Sequence, residues 1–356
     1  MTISPPVAGL RDTPGAHTLD CGKLSAWMAA HIPNFSGPIE VRQFAGGQSN
    51  PTFLVQSANQ RLVLRRKPPG KLLPSAHAVD REFRVLAALS DTDVPVARVF
   101  ALCEDPAVIG SSFYVMEYVE GRIFWEATLP EVPAAGRRPI YSEMVRVLAA
   151  LHSVDYRAVG LADYGKSSGY IERQVARWTQ QYRAAQTESI EAMEKLMNWL
   201  PQHMPAGDES SIVHGDFRLD NTIFHPTEPK ILAVLDWELS TIGNPFVDFA
   251  YFCMRYHIPD EGFKGLAGVD TTQLMLPSQA ELVTDYCRLR GIKPVSPQDW
   301  AYYMAFCMFR LAGILQGILA RALQGNASSA SALEAGRRTR PLAELAWHLV
   351  KEQFDA

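Results

Sequence analysis

The sequence is poor in cysteine: Cys21, Cys103, Cys253, Cys287 and Cys307 are scattered through 356 residues, odd in number and without a CxxC pair. A disulfide framework and a cysteine-based zinc site are therefore not expected, and a reducing cytoplasm is the expected location. Basic charge is not in excess either, with a net charge of -4, so neither nucleic acid nor an anionic membrane is an expected partner. Residues 1–20 carry Pro5, Pro6, Arg11, Asp12 and Pro14 but no apolar h-region, and read as a flexible tail rather than a signal peptide. Long apolar runs are scarce. The strongest, Ala301 to Ala320, holds Arg310 mid-span and Gln316 near its end, which favours a buried helix over a membrane span. No internal repeat is visible, and nothing in the composition sets an oligomeric state.

What is present is an ordinary globular balance, 47% apolar and 20% charged, enough for one large or two modest domains. The first third is strand-rich. Residues 39–44, 52–56 and 61–66 alternate or carry β-branched side chains, with turns at Gly46-Gly47 and Ala58-Asn59. A helix is predicted over 78–89, then strands over 94–101 and 113–117. Beyond Gly121 the pattern becomes helical, over 138–152, 170–186, 190–200 and 282–290, followed by two long C-terminal helices. This divides the chain into a tail (1–20), a small β lobe (21–118) and a larger, mainly helical lobe (119–356).

The most informative stretch is Ile212-Val213-His214-Gly215-Asp216-Phe217-Arg218-Leu219-Asp220-Asn221-Thr222-Ile223. It sets Asp216 and Asn221 five positions apart between β-prone segments, and a second strand, Ile231 to Leu235, then delivers Asp236. A lone His-Gly-Asp is also what a capped turn looks like; the ordered set of Asn221, strand and Asp236 is harder to explain that way. The spacing resembles a kinase catalytic loop, H-R-D-L-x-x-x-N, followed by its metal-binding D-F-G. Here the letters are H-G-D-F-R-L-D-N and D-W-E, which resemble the aminoglycoside phosphotransferase and choline kinase group. The resemblance implies an α+β, bilobal protein-kinase-like fold with an antiparallel β N-lobe and a helical C-lobe. It also implies ATP and Mg²⁺ as cofactors and a small-molecule hydroxyl as substrate. Asp216 would orient the hydroxyl and take its proton. Asp236 would hold Mg²⁺ against the triphosphate, with Asn221 as a neutral oxygen ligand. His214 is read as a packed loop anchor and Asp248 as a support of the loop through backbone hydrogen bonds, although an ordinary helix N-terminal carboxylate reads the same.

Phosphate contacts fall to the loop between the first two strands, where Gly46 and Gly47 let backbone amides approach oxygens and Ser49 or Asn50 adds a side chain. A hairpin turn alone has the same composition. The third strand ends in Arg65-Arg66-Lys67 where a kinase carries its lysine. Strand alternation puts Arg65 on the face of Val63 and Arg66 on the other, so Arg65 is the expected phosphate contact and Lys67 the fallback. A basic strand end in solvent is the competing reading. Glu82 is the expected ion-pair partner, against a solvated helix carboxylate, and the backbone of Glu117 and Val119 would meet the adenine edge. His152 reads as a satisfied core histidine. Arg310, flanked by Tyr302, Tyr303, Phe306 and Phe309, fits either an acidic, partly apolar substrate or aromatic core packing.

Phrases such as Leu64-Arg65-Arg66-Lys67-Pro68-Pro69-Gly70 and Leu235-Asp236-Trp237-Glu238 resemble the branch that includes kinase-like domains fused to certain acyl-CoA dehydrogenases. That branch implies hydroxy-acid or hydroxyacyl substrates rather than aminoglycosides or amino alcohols. A nucleotide-binding pseudokinase is disfavoured by the presence of Asp216, Asn221 and Asp236. A protein kinase would need the H-R-D arginine and an A-P-E segment, and neither is present.

Overall fold

The computed structural model describes residues 10–11, 19–44, 50–68, 78–207, 209–260, 263–324 and 330–354. Gly46, Gly47 and Ser49 lie outside these. The chain begins with β1 (Leu10–Arg11), α1 (Cys21–His31), β2 (Glu40–Phe44), β3 (Thr52–Gln56), β4 (Arg61–Arg66), α2 (Val79–Leu89), β5 (Val99–Cys103), α3 (Pro106–Ile109) and β6 (Phe113–Glu117). It continues with α4 (Ala134–Ser153), α5 (Tyr170–Ala185), α6 (Glu191–Trp199), β7 (Ser211–Val213), β8 (Thr222–Phe224), β9 (Ile231–Val234) and β10 (Thr241–Gly243). Five helices complete it: α7 (Pro245–Cys253), α8 (Gln279–Arg290), α9 (Pro297–Leu323), α10 (Ala330–Arg337) and α11 (Thr339–Phe354).

These elements form two compact units. The first takes in residues 1–124, 157–161 and 219–240. Its antiparallel sheet has the order β1-β2-β3-β4-β6-β5, and the alternation of β4 sorts its two faces. Leu62 and Leu64 join Phe53, Val55, Phe113 and Val115 in a core closed by Leu24 and Met28 of α1. Val63 and Arg65 point the other way, as the period of two requires. On α2, Val79, Glu82, Leu86 and Leu89 are all buried and fall on one stripe. The hairpin β8–β9 belongs to this unit although the sequence puts it in the helical half. Arg122 and Phe224 exchange backbone hydrogen bonds at 2.7 Å in both directions. A Cβ on Gly121 would stand 2.2 Å from the Phe224 carbonyl, so glycine permits that approach.

Two elements differ from the sequence reading for reasons involving proline. The strand expected over 94–101 forms only at Val99–Cys103. Pro95 has no N–H to give a ladder, and its carbonyl accepts from Val234 N (2.9 Å) instead. Helix α4 starts at Ala134 rather than Arg138: Pro139 looks like a first-turn proline but is carried inside the helix.

The second unit, residues 125–156, 162–218 and 241–356, is helical apart from the antiparallel pair β7–β10. Helix α9 packs against α5, α7 and α11. Among the described residues it is the one helix long and apolar enough to cross a membrane, and 72% of its apolar window is buried inside the protein. Tyr302, Phe306 and Phe309 are fully buried and Tyr303 nearly so, so the aromatic run of α9 is core packing.

Candidate active site

In the first unit, Arg65 lies among three carboxylates. Its Nε stands 2.7 Å from Glu82 Oε2, its Nη2 donates to Asp236 Oδ1 at 2.6 Å, and Glu238 Oε2 is 3.8 Å away. The Glu82 side chain is 2% exposed and that of Arg65 is 13% exposed, so neither is a solvated charge. Asn50 Nδ2 (2.6 Å) and the Tyr114 hydroxyl (3.1 Å) also donate to Glu82. Burial raises the Glu82 carboxyl above its ordinary range, and the nearby Asp236 adds to this, while Arg65 and the two donors oppose it. The Arg65 guanidinium is held charged by Glu82, Tyr114 and Asp236 against its own burial. Asn50 is buried, and its amide holds Glu82. Arg66 does point to the opposite face, but it is buried there, with its guanidinium 3.5 Å from the Ile109 carbonyl.

Asp236 follows β9 and adopts a left-handed backbone (φ 64°), a conformation that Asp tolerates better than most residues. The register Thr222↔Val234 and the bond from Leu235 N to Asn221 O (2.8 Å) set Asn221 opposite the residue before Asp236. One carboxylate and one neutral amide are a partial donor set. No group of three or more His, Cys, Asp and Glu able to hold a metal occurs among the described residues. Such a set fits Mg²⁺, which keeps several water and phosphate oxygens of its own, and does not fit a metal that needs an all-protein cage. Glu117 closes β6 and donates its amide to Arg98 O (2.8 Å). Val119 follows it, half-buried, outside the regular strand.

In the second unit, β7 leads into the loop bearing Asp216. Gly215 has φ 84°, so a side chain there would be strained. Asp248, in the first turn of α7, accepts from His214 N (2.6 Å) and Gly215 N (2.9 Å). Helix α7 can begin there because Asn244 caps its Phe246 and Val247 amides and Pro245 occupies the first turn. His152 bridges behind it, with Nε2 3.2 Å from Asp248 Oδ2 and Nδ1 2.6 Å from the Tyr286 hydroxyl. Burial lowers the His152 pKa despite Asp248. Burial would raise Asp248, but bonding to His152 and the charges and amide of the loop outweigh it, leaving the carboxyl below its usual range. Nε2 of His152 thus faces a carboxylate that accepts hydrogen bonds, while Nδ1 faces the Tyr286 hydroxyl. His214 is fully buried, and its Nδ1 accepts from Asp216 N at 3.2 Å.

Asp216 itself is met by Tyr251 and Arg218. The Tyr251 hydroxyl donates to its Oδ1 at 2.9 Å, and Arg218 Nε lies 3.2 Å from the same oxygen. Sequence reasoning missed Tyr251; the available signal was its place three residues after Asp248 on the same helix. Arg310 is 8% exposed and donates to Gly215 O (3.0 Å), its guanidinium lying over the rings of Tyr251 (5.4 Å) and Trp178 (5.8 Å).

The model of a family described as "Phosphotransferase enzyme family" matches residues 40–283. Mouse acyl-CoA dehydrogenase family member 10 is 50% identical over 322 residues, covering 90% of this chain and 30% of that protein. Human acyl-CoA dehydrogenase family member 11 is 43% identical over 343 residues, covering 95% and 44%. The chain thus spans less than half the length of these two relatives. A crystal structure from Ralstonia eutropha, described as a "putative aminoglycoside phosphotransferase", is 52% identical with a TM-score of 0.88, covering 94% of this chain and 99% of that one. Choline kinase from Cryptosporidium parvum shares the kinase-like fold at 14% identity, with a TM-score of 0.58 and coverage of 94% and 97%. With the family model matching more than half of its length, the chain belongs to the phosphotransferase enzyme family.

Proposed function

We propose that this protein transfers the γ-phosphoryl group of ATP, with Mg²⁺, to the hydroxyl of a hydroxy acid or hydroxyacyl thioester. The observation that carries the transfer reading is Arg65 held between Glu82 and Asp236. A fixed guanidinium beside the candidate metal carboxylate is what a triphosphate needs, since phosphoryl transfer is mostly positioning and charge neutralisation. Glu82 keeps Arg65 oriented, and Asn50 and Tyr114 keep Glu82 oriented. Asp236 and Asn221 would hold Mg²⁺, which when bound neutralises charge on the triphosphate. Since the Glu117 amide is committed to Arg98, an adenine contact at Glu117 falls to its carbonyl, with the Val119 amide beside it. Asp216 accepts the proton of the acceptor hydroxyl as its oxygen bonds to phosphorus. The glycine loop, Gly46, Gly47 and Ser49, completes the phosphate contacts in this reading.

The acceptor class rests on the long relatives, which are named acyl-CoA dehydrogenases and whose kinase-like region this chain matches. A kinase joined to thioester chemistry is best served by a hydroxyacyl substrate. An aminoglycoside is the competing acceptor, favoured by the description of the Ralstonia protein. A panel of 3- and 4-hydroxybutyrate, their CoA thioesters, choline and kanamycin, followed by ADP release and mass spectrometry, separates the two. Turnover is expected with a hydroxy acid or its thioester. Efficient phosphorylation of kanamycin or choline with none of any hydroxy acid would reject the acceptor class.

A further inference from the structure

Helix α7 grips three successive residues of the loop. Asp248 takes the amides of His214 and Gly215, and one turn later Tyr251 takes the carboxylate of Asp216. The spacing is commensurate: three helical residues rise about 4.5 Å, close to the roughly 3.8 Å between neighbouring Cα atoms. Residues three apart share a helix face, so a straight helix reaches backbone and side chain with no distortion. Helix α9 fixes the arrangement from another side, because Arg310 donates to Gly215 O and covers the Tyr251 ring. Gly215 is thus held at both its N–H and its carbonyl, and Asp216 at its side chain.

We propose, on the transfer reading above, that Tyr251 is a positioning residue whose hydroxyl sets the orientation of the Asp216 carboxylate toward the acceptor. In the step concerned, the acceptor oxygen bonds to the γ-phosphorus while its proton passes to Asp216. The bond from γ-phosphorus to the bridging oxygen breaks, and ADP leaves with that electron pair. Tyr251 keeps its own proton throughout: burial and the Asp216 charge raise its phenol well above the working range. A donor that cannot ionise holds a carboxylate without competing for the transferred proton. The ring serves Arg310 and the hydroxyl serves Asp216, and Tyr251→Phe removes only the second.

The test is single-turnover and steady-state transfer from MgATP to 3- and 4-hydroxybutyryl-CoA, with water as a further acceptor, by the wild type, Tyr251→Phe, Asp216→Asn and the double variant. Tyr251→Phe should lower kcat by about 10- to 100-fold, the range of one hydrogen bond to a charged group. KM for MgATP should stay within about twofold and the melting temperature close to wild type. The double variant should be no worse than Asp216→Asn, since a residue that acts only through Asp216 has nothing left to position. Tyr251→Leu, which also loses the ring, should repeat the kcat loss and melt lower. An unchanged kcat in Tyr251→Phe overturns the proposal, and so do losses that multiply in the double variant; if Asp216→Asn alone is inactive, the transfer reading survives either result. Wild type that transfers to none of these acceptors overturns both.

Discussion

Removing the guanidinium of Arg65 tests the first unit where one cation faces three carboxylates. In Arg65→Ala, Glu82 keeps Asn50 and Tyr114 as donors but loses its cation while remaining buried. Breaking one side of a buried pair typically costs about 3–5 kcal/mol. The Asp236 side chain is 35% exposed, so loss of that second pair adds at most about 1 kcal/mol. For a unit of this size each kcal/mol moves the melting temperature by roughly 2–4 °C, giving a fall of about 10 °C. The loss must also depend on pH. Glu82 is already raised in the folded protein, and its raised pKa goes further up without Arg65. Above the unfolded glutamate pKa of about 4.3, the folded variant then binds more protons than the unfolded chain. Its stability therefore declines as pH rises, until the folded pKa is passed. The gap from wild type should widen between pH 5 and pH 8 in paired thermal melts, and Arg65→Met, which keeps bulk without charge, should behave alike. MgATP should raise the melting point of wild type more than that of either variant. A loss under about 2 °C that is flat with pH would show that Glu82 does not depend on Arg65, and the electrostatic reading of this cluster would be wrong.

Further expectations concern the two aspartates and the acceptor. Asp216→Asn should keep MgATP affinity within a few-fold and lower transfer by roughly 10²–10⁴, measured by calorimetry beside single-turnover assays; near wild-type transfer would remove Asp216 as the base. Asp236→Ala should lose the Mg²⁺-dependent part of ATP binding together with transfer, and normal MgATP titration would put the metal elsewhere. Hydroxy acids or their CoA thioesters should be phosphorylated in preference to kanamycin, read out by ADP release.

Much of the site was legible because chemistry and local pattern coincide in it. Alternation along β4 was enough to separate Arg65 from Arg66, and the chain order of Asp216, Asn221 and Asp236 carried the family resemblance. What local pattern could not show was which groups are satisfied by distant partners. Asn50 reads as a loop residue open to phosphate, yet its amide is used by Glu82, 32 residues away. Arg310 fits a ligand-binding cation as well as aromatic core packing, the reading its sequence favours; its task at Gly215 depends on a contact 95 residues off. Tyr251 is one of twelve tyrosines, and only the pose of α7 distinguishes it. The strand expected through Pro95 but formed only from Val99, and the helix that runs through Pro139 from Ala134, show proline's effect on bounds that local pattern alone did not place.

The segmented make-up of the first unit has a consequence during synthesis. Arg65 and Asp236 are 171 residues apart, which at translation rates of about 5–20 residues per second separates their emergence by roughly 9–34 s. Over that interval the sheet and α2 can form, and Arg65 can pair with Glu82 alone. Neither Asp236 nor the β8–β9 hairpin yet exists to complete the unit, and Arg122, beside Gly121, still lacks the Phe224 backbone that will pair with it. A nascent chain halted before residue 219 thus carries the six-stranded sheet without the separate β8–β9 hairpin, and the Arg122 backbone N–H and C=O that Phe224 will satisfy stay open to water or to another chain.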